Sequence, residues 1–182
     1  MSLTDQPKAI ISKKFNSIKY GIDATCGNGN DTLFLAKLCS KDGIIYSFDI
    51  QEKALSNAHN LIKKHNLSSK VQFIRSGHEY MNEFVTDKVD IIMFNLGYLP
   101  SFNRKIYTLS GTTITALNSS CRLLKNNGMI SIICYPGHES GKKETKEVKK
   151  WIKSINKNIF TVTEYLSENS DSSTPILYIL EN

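Results

Sequence analysis

The sequence predicts an α/β protein in which helices cover both faces of a doubly wound, Rossmann-like sheet. Two observations lead to this prediction: short apolar runs alternate with amphipathic stretches, and the last two apolar runs are joined by a polar loop too short to hold a helix. Alternation of strand and helix is typical of a parallel sheet, whereas so short a final link allows only an antiparallel pair. We therefore expect a mostly parallel sheet with an antiparallel C-terminal strand.

The individual elements follow from the same patterns. The first five strands are runs of mainly apolar residues, as is typical of strands covered on both faces, and the helices repeat apolar residues every three or four positions. The predicted strands are residues 20–24, 43–50, 71–76, 89–95 and 129–135, and the helices between them are residues 31–39, 51–65, 112–125 and 141–154. Two final strands are residues 160–166 and 176–180, and residues 97–111 and 126–128 are a loop and a turn.

Length and composition indicate one globular domain over residues 1–182. Domains usually contain about 100–200 residues, and a chain of this size can bury a substantial core. No run approaches the ~20 apolar residues of a membrane helix, and the first residues lack the apolar run of a secretion signal. We therefore expect a cytoplasmic protein with no membrane contact.

The charge permits a polyanionic partner without requiring one. The 23 basic and 17 acidic residues give a net charge of +6, which is compatible with RNA binding. Residues 1–19 are predicted to form a basic helical segment whose lysines either contact RNA or face solvent: Lys8, Lys13, Lys14 and Lys19. The cysteines are scattered without a C-x-x-C pair, so we expect no metal site and a reducing compartment: Cys26, Cys39, Cys121 and Cys134.

A glycine-rich loop after the first predicted strand points to a cofactor site. Residues 23–32 read D-A-T-C-G-N-G-N-D-T, in which two glycines allow a tight turn and a close ligand approach. A dinucleotide site needs a third glycine where Thr32 stands, so S-adenosylmethionine is favoured over a nucleotide. Asp23 fits the D-x-x-x-G-x-G pattern of methyltransferases and is expected near the cofactor's ammonium group or its bridging waters. The predicted cofactor residues here are Asp23, Thr25, Cys26, Gly27, Asn28, Gly29, Asn30, Asp31 and Thr32.

The next two strand ends supply further candidate cofactor contacts. Asp49 closes the second predicted strand and can accept hydrogen bonds from both hydroxyls of a ribose. The expected contacts of these two loops are Asp49, Ile50 and Gln51, followed by Ser76, Gly77 and His78. For His78 two interpretations stay open, a contact with the adenine ring and an ordinary histidine on a surface loop.

The fourth predicted strand ends in N-L-G-Y-L-P, residues 95–100, at the edge where open α/β sheets bind ligands. The motif is similar in part to the N-P-P-Y type motif of methyltransferases that act on amino groups, with Leu96 and Gly97 in place of the prolines. An amine is nucleophilic only when neutral, and Asn95 is expected to accept its N–H bonds and to aim its lone pair. Leu96, Gly97 and Tyr98 are expected to bind substrate, Tyr98 by stacking on a nucleobase, and Asn95 is also expected to contact the cofactor. The alternative is that Asn95 ends the strand and Tyr98 packs locally.

A second candidate substrate loop, Y-P-G-H-E at residues 135–139, ends the fifth predicted strand on the same edge. Tyr135 and Gly137 are expected to contact substrate. His138, with an ordinary pKa of about 6.5, either accepts the released proton, contacts the RNA backbone, or is a turn residue without function. Lys142 begins a lysine-rich helix face that is interpreted as a phosphate contact or as a solvated surface.

Together these motifs resemble a bacterial family long labelled rRNA methylase. The segments at residues 23–36, 48–51 (F-D-I-Q), 77–79 (G-H-E), 95–100 and 135–141 (Y-P-G-H-E-x-G) occur in the same order in that family. The family is similar to the tRNA 5-aminomethyl-2-thiouridine methyltransferases, class I enzymes that use S-adenosylmethionine. One departure follows L-P, where the family usually has a Gly-Gly-Asp-Lys type stretch and this chain has S-F-N-R. Arg104 and Lys105 keep the basic character of the loop and are expected to bind substrate.

The resemblance implies N-methylation of 5-aminomethyl-2-thiouridine at the tRNA wobble position, with the anticodon stem-loop as partner. Substrate choice is the implication most affected by the departure after L-P. The alternatives are an rRNA or small-molecule N-methyltransferase on the same fold, and an RNA-binding protein without catalysis. The sequence leaves the oligomeric state open, a homodimer included.

Overall fold

One seven-stranded sheet organises the chain. The computed structural model describes residues 3, 5–97, 108–167 and 171–182. Its strands are β1 (Ile18–Asp23), β2 (Cys39–Phe48), β3 (Val71–Ile74), β4 (Val89–Asn95), β5 (Leu124–Cys134), β6 (Thr161–Tyr165) and β7 (Ile176–Glu181). Its helices are α1 (Gln6–Lys14), α2 (Asn30–Leu38), α3 (Glu52–Lys64), α4 (Met81–Phe84), α5 (Ser110–Leu123) and α6 (Glu139–Ser154). Within the described ranges, no helix has the length and apolar character needed to cross a bilayer.

The sheet is doubly wound, with the strand order β3-β2-β1-β4-β5-β7-β6. β1 pairs in parallel with β2 and β4, β2 with β3, and β4 with β5, whereas β7 pairs antiparallel with both β5 and β6. This arrangement confirms the predicted fold. Because the strand order reverses between β1 and β4, their carboxyl ends flank the crevice where open α/β sheets bind ligands.

Helices bury apolar side chains against both faces of the sheet. One core contains Ile11 of α1, Leu35 of α2 and Ile62 of α3, and the other contains Met81 of α4, Leu117 of α5 and Val148 of α6. Consecutive residues of β4 alternate between the two cores, as the two-residue period of a strand requires. Both faces of the central strands are therefore apolar, which explains why their sequences read as continuous hydrophobic runs.

Two strands begin earlier than predicted because they contain bulges. β2 starts at Cys39, and β5 starts at Leu124. In β5 the register against β4 skips from Leu124 to Met129, and Asn127 in the intervening stretch has a positive φ of 61°. The predicted turn at residues 126–128 is thus present, but it lies inside a longer strand.

The N-terminal segment is only partly helical. The chain is already extended at Phe15, with φ −114° and ψ 119°, and Ile18 opens β1. The prediction of a helical segment over residues 1–19 is therefore wrong beyond α1. The end of α1 is attached to the sheet by an ion pair of 2.6 Å between Lys14 Nζ and Glu181 Oε1.

A short helical segment between β3 and β4 was also missing from the predicted elements. It consists of a 3₁₀ turn at His78–Tyr80 followed by α4, which has four residues. So few residues cannot display the 3.6-residue period on which helix prediction rests.

Candidate active site

A cavity of about 870 Å³ opens at the carboxyl edge of the sheet, beside the ends of β1 and β4. Sites for small molecules usually measure about 300–1,000 Å³. Predicted residues from five separate loops line it: Thr25, Cys26, Gly27, Asn28, Asn30, Asp31, Asp49, Ile50, Gln51, Ser76, Gly77, His78, Asn95, Leu96, Gly97, Tyr135, Gly137 and His138. The fold therefore brings most of the predicted site residues into one place.

The loop between β1 and α2 depends on its two glycines. Gly27 has φ 50° and Gly29 has φ 83°, values that residues with a Cβ rarely adopt. A Cβ on Gly29 would lie 2.7 Å from the Cβ of Ala58 in α3, so Gly29 serves the packing of the loop on α3 and does not itself line the cavity. Burial raises the pKa of the neighbouring Cys26 thiol to about 12, so at neutral pH this group is no thiolate nucleophile.

Asp23 and Thr32 lie beneath the loop, with exposed fractions of 1% and 0%. The Thr32 hydroxyl donates to Asp23 Oδ2 at 2.6 Å, and the backbone N–H of Thr25 donates to Asp23 Oδ1 at 3.1 Å. Neither residue lines the cavity. The expectation that both contact the cofactor does not fit this burial, and they instead support the loop from below.

Asp49 faces the cavity with a fixed carboxylate. Its Oδ2 accepts from the backbone N–H of Gly27 at 2.9 Å, and its Oδ1 accepts from that of Gln51 at 2.8 Å. Burial raises the pKa of Asp49, and these N–H donors oppose that rise. Because each carboxylate oxygen can accept a second hydrogen bond, Asp49 retains the capacity for two ligand hydroxyls.

An ion pair joins α1 to the cavity. Lys8 Nζ lies 2.8 Å from Asp31 Oδ1 in the first turn of α2, and both residues line the cavity. The other oxygen of Asp31 accepts from Asn95 Nδ2 at 3.4 Å. Lys8 was predicted to contact RNA or to face solvent, and the structure pairs its ammonium group with the Asp31 carboxylate at the cavity wall.

His78 is buried, with an exposed fraction of 7%, so the interpretation as a surface-loop histidine is wrong. Its Nδ1 lies 3.2 Å from the carbonyl oxygen of Ala24 and therefore carries the hydrogen of that bond. Burial lowers the pKa of the ring, and its plane meets the Phe94 ring edge-on at 5.7 Å. His78 is thus a neutral part of the cavity wall below the Ser76–Gly77 turn.

Asn95 ends β4 at the meeting point of several loops. Its backbone N–H donates to the hydroxyl oxygen of Thr25 at 2.7 Å, which ties the end of β4 to the glycine loop. Its side-chain Nδ2 donates to Asp31 Oδ2 at 3.4 Å. Burial, with the charge of Asp31, raises the pKa of Tyr135 to about 12, so the phenol remains neutral.

His138 is held as the N-cap of α6. Its Nδ1 accepts from the backbone N–H of Gly141 at 3.0 Å and lies 2.7 Å from Ser140 Oγ. The Nδ1 atom is thus occupied as an acceptor in the cap of α6. Gly141 is required by the close fit, since a Cβ there would lie 2.0 Å from the carbonyl oxygen of Tyr135.

Some predicted residues do not join the cavity. Tyr98, Arg104 and Lys105 lie outside the described residues, and Lys142 is exposed and does not line the cavity. Conversely, the cavity includes residues that no motif indicated: Asp5, Lys8, Thr108, Leu109, Thr112 and Ser173. The predicted start of a helix at residue 112, directly after a loop at the ligand edge, was the one sequence signal that pointed to this side of the cavity.

A comparison with protein families identifies the scaffold that carries this cavity. Residues 45–181 match the family described as "Putative rRNA methylase". The chain belongs to this family. The matched range contains Asp49, Asn95 and His138, and thus most of the cavity wall outside the glycine loop.

Solved structures of similar sequence share the complete rRNA methylase fold. A "putative rRNA-methylase" from Clostridium thermocellum is 36% identical, with a TM-score of 0.96 over 100% of this chain and 97% of that chain. A "putative methyltransferase" from Streptococcus mutans "in complex with SAH" is 34% identical, with a TM-score of 0.89 over 100% of this chain and 98% of that chain. The predicted methyltransferase fold is therefore confirmed.

One relative of this chain is named as a tRNA methyltransferase. The "tRNA (mnm(5)s(2)U34)-methyltransferase, chloroplastic" of Arabidopsis thaliana is 41% identical over 137 residues, which are 70% of this chain and 50% of the relative. The chain thus spans about half the length of this curated relative. The predicted family resemblance is confirmed.

The residues of the cavity fit S-adenosylmethionine. Asp49 offers acceptors for ribose hydroxyls, and the N-terminus of α2 with Lys8 offers donors for a carboxylate. The carboxylate oxygens of Asp31, although paired with Lys8, can accept further hydrogen bonds from an ammonium group. Among the described residues, no cluster of three or more His, Cys, Asp and Glu has the arrangement of a metal site.

Proposed function

We propose that this chain transfers a methyl group from S-adenosylmethionine to the exocyclic amine of 5-aminomethyl-2-thiouridine at the tRNA wobble position, giving 5-methylaminomethyl-2-thiouridine. The observation that carries the proposal is that Asp49, suited to a ribose, and Asn95, suited to an amine, line the same cavity. The similarity to the Arabidopsis tRNA methyltransferase supports the substrate, and the net charge of +6 is compatible with an RNA partner.

The cofactor would be held by three parts of the chain. Asp49 would accept the ribose hydroxyls, the wall at Ser76 and His78 would lie against the base, and the start of α2 would receive the amino-acid end. When bound, S-adenosylmethionine supplies an electrophilic methyl group on a positively charged sulfur. The lone pair of the amine forms the new N–C bond while the C–S bond breaks with its electron pair left on sulfur, and the nitrogen releases a proton to water.

The chain's contribution to the chemical step is to position a neutral amine. The side chain and neighbouring carbonyl groups of Asn95 would accept the N–H bonds of the amine and direct its lone pair. Asp31 alone would favour the charged ammonium form, but Lys8, 2.8 Å away, offsets that charge. Tyr135 remains a neutral phenol beside them. No covalent enzyme nucleophile is needed, in agreement with the raised pKa of Cys26.

The proposal is tested by methyl transfer from labelled S-adenosylmethionine to purified RNAs. The substrate is tRNA that carries the unmethylated aminomethyl group, and the matched control is the same tRNA without that group. We expect incorporation only into the first, with 5-methylaminomethyl-2-thiouridine found by nucleoside mass analysis. Incorporation into rRNA alone, or into none of the RNAs, would reject the assignment.

Replacing Asp49 by alanine should weaken the binding of S-adenosylhomocysteine by roughly 10- to 100-fold, because hydrogen bonds to a charged group contribute about 1.5–3 kcal/mol. Asp49→Asn, which keeps one acceptor oxygen, should have a smaller effect. Calorimetry measures both, with Asp42→Ala at the exposed amino end of β2 as control. If Asp49→Ala and the control bind S-adenosylhomocysteine equally well, Asp49 does not bind the ribose.

A further inference from the structure

A buried carboxylate lies behind the acceptor side of the cavity. Glu144 of α6 is only 3% exposed, and it does not line the cavity. It accepts hydrogen bonds from two hydroxyls, that of Thr108 at 2.7 Å and that of Thr113 at 2.6 Å. No ion pair of Glu144 occurs among the described residues. Burial disfavours the charged form of its carboxyl group, and the two neutral hydroxyl donors partly offset that effect.

Thr108 connects Glu144 to Gly97, which lies two residues after Asn95 at the end of β4. The backbone N–H of Gly97 donates to the hydroxyl oxygen of Thr108 at 2.8 Å, and the backbone N–H of Thr108 donates to the carbonyl oxygen of Gly97 at 2.9 Å. Both residues line the cavity. Gly97 has a φ of 129°, which glycine adopts without strain, so the two hydrogen bonds to Thr108 select this orientation from the several that glycine allows.

The Thr108 hydroxyl is an acceptor and a donor at the same time. Its oxygen accepts the hydrogen bond from the Gly97 N–H, and its hydrogen is donated to Glu144. The carbonyl oxygen of Gly97 is a second acceptor for this hydroxyl, but at the longer distance of 3.5 Å, so Glu144 at 2.7 Å is the stronger partner. An apolar side chain of similar length would fill the space and leave the Thr108 hydroxyl with only the weaker contact to Gly97.

We propose that Glu144 is a positioning residue of the acceptor side, which acts through Thr108 to fix the Gly97 backbone next to Asn95. The expected effect on catalysis rests on the proposed function, whereas the expected restraint of the Gly97 backbone does not. It assigns Glu144 no contact with cofactor or RNA. A loss of Glu144 should therefore disturb amine positioning while the Asp49 end of the cavity is unchanged.

The decisive variant is Glu144→Met, which removes both acceptor oxygens and keeps the length of the side chain. Glu144→Gln is the conservative variant, since its amide oxygen can still accept from one hydroxyl. Thr108→Val and Thr108→Ser form a second pair, in which only serine keeps the hydroxyl. Thr115→Val, on the exposed side of α5, is the control because its hydroxyl bonds only its own helix.

Three quantities are measured on each full-length variant: the hydrogen-exchange rate of the Gly97 amide by NMR, the dissociation constant of S-adenosylhomocysteine, and kcat and KM for tRNA methylation. We expect Glu144→Met to raise the Gly97 exchange rate about tenfold, because Glu144 no longer holds the Thr108 hydroxyl that accepts from the Gly97 N–H. It should lower kcat at least tenfold and change cofactor affinity less than twofold. Glu144→Gln and Thr108→Ser should recover most of the loss.

Each outcome decides the inference. Unchanged Gly97 exchange and unchanged kcat in Glu144→Met would overturn it, and so would a loss that Glu144→Gln shares fully. If Glu144→Met does not fold, the comparison of Thr108→Val with Thr108→Ser and Glu144→Gln decides, and equal exchange in all three would overturn it. If the unmodified protein methylates no RNA, the proposed function fails, and the exchange rates still decide whether Glu144 restrains Gly97.

Discussion

Asn95→Ala should lower kcat for tRNA methylation by about 10²-fold, since misplacement of a reacting group by about 1 Å can cost that much. The affinity for S-adenosylhomocysteine should change little, because the contacts expected for the ribose and base lie in the loops after β2 and β3. The physical reason is that alanine offers no acceptor to orient the amine. It also leaves Asp31 without its hydrogen bond from the Asn95 side chain.

Steady-state kinetics on tRNA carrying the aminomethyl group measure this effect, and calorimetry measures the cofactor affinity. Asn158→Ala is a suitable control, because Asn158 is exposed and lies outside the cavity. Full activity of Asn95→Ala would show that the amine is oriented by other groups. A parallel loss of cofactor affinity would place Asn95 in the cofactor site instead.

Asp23→Asn should stabilise the protein increasingly as the pH rises from 4 to 8. Burial, together with the charge of Asp31, raises the pKa of Asp23 from 3.8 to about 7 in the folded protein. Between these values the folded state keeps a proton that the unfolded state has lost, so the free energy of unfolding falls as the pH increases. Asparagine does not titrate, so its variant does not lose stability in this way as the pH rises.

Urea denaturation of both proteins at several pH values tests this prediction. The difference in unfolding free energy between Asp23→Asn and the unmodified protein should be smallest near pH 4 and largest above pH 7. Asp42→Asn, at an exposed position, controls for the general effect of removing a negative charge. A difference that stays constant with pH would mean that Asp23 titrates normally in the fold.

The sequence was sufficient for the fold and for the edge that holds the cavity. β4 has the predicted bounds, residues 89–95, because its continuous apolar run ends abruptly at a polar residue. The glycine loop and Asp49 were equally visible, since backbone conformation and strand ends leave local marks in the sequence. Parallel strands then bring their carboxyl ends to one side, so local motifs combine into a site without knowledge of distant contacts.

The remaining features depend on tertiary packing and leave no comparable mark. Lys8 reaches Asp31 only because α1 packs near the start of α2, and the burial of Asp23 depends on the path of the whole loop. Glu144 could have been noticed, since it shares the apolar face of α6 with Val148 and Trp151. A charged residue on a buried face indicates an internal polar contact, but the partners Thr108 and Thr113 become apparent only when α5 and α6 are in place.

The position of β7 has a consequence for the synthesis of the chain on the ribosome. β5 and β6 precede β7 in the sequence, yet each pairs with β7 and not with the other. Until residues 176–181 leave the exit tunnel, the nascent polypeptide therefore presents an unpaired β5 edge and an incomplete sheet. Such edges are prone to association with other chains, and the exposure ends only when β7 pairs with both strands.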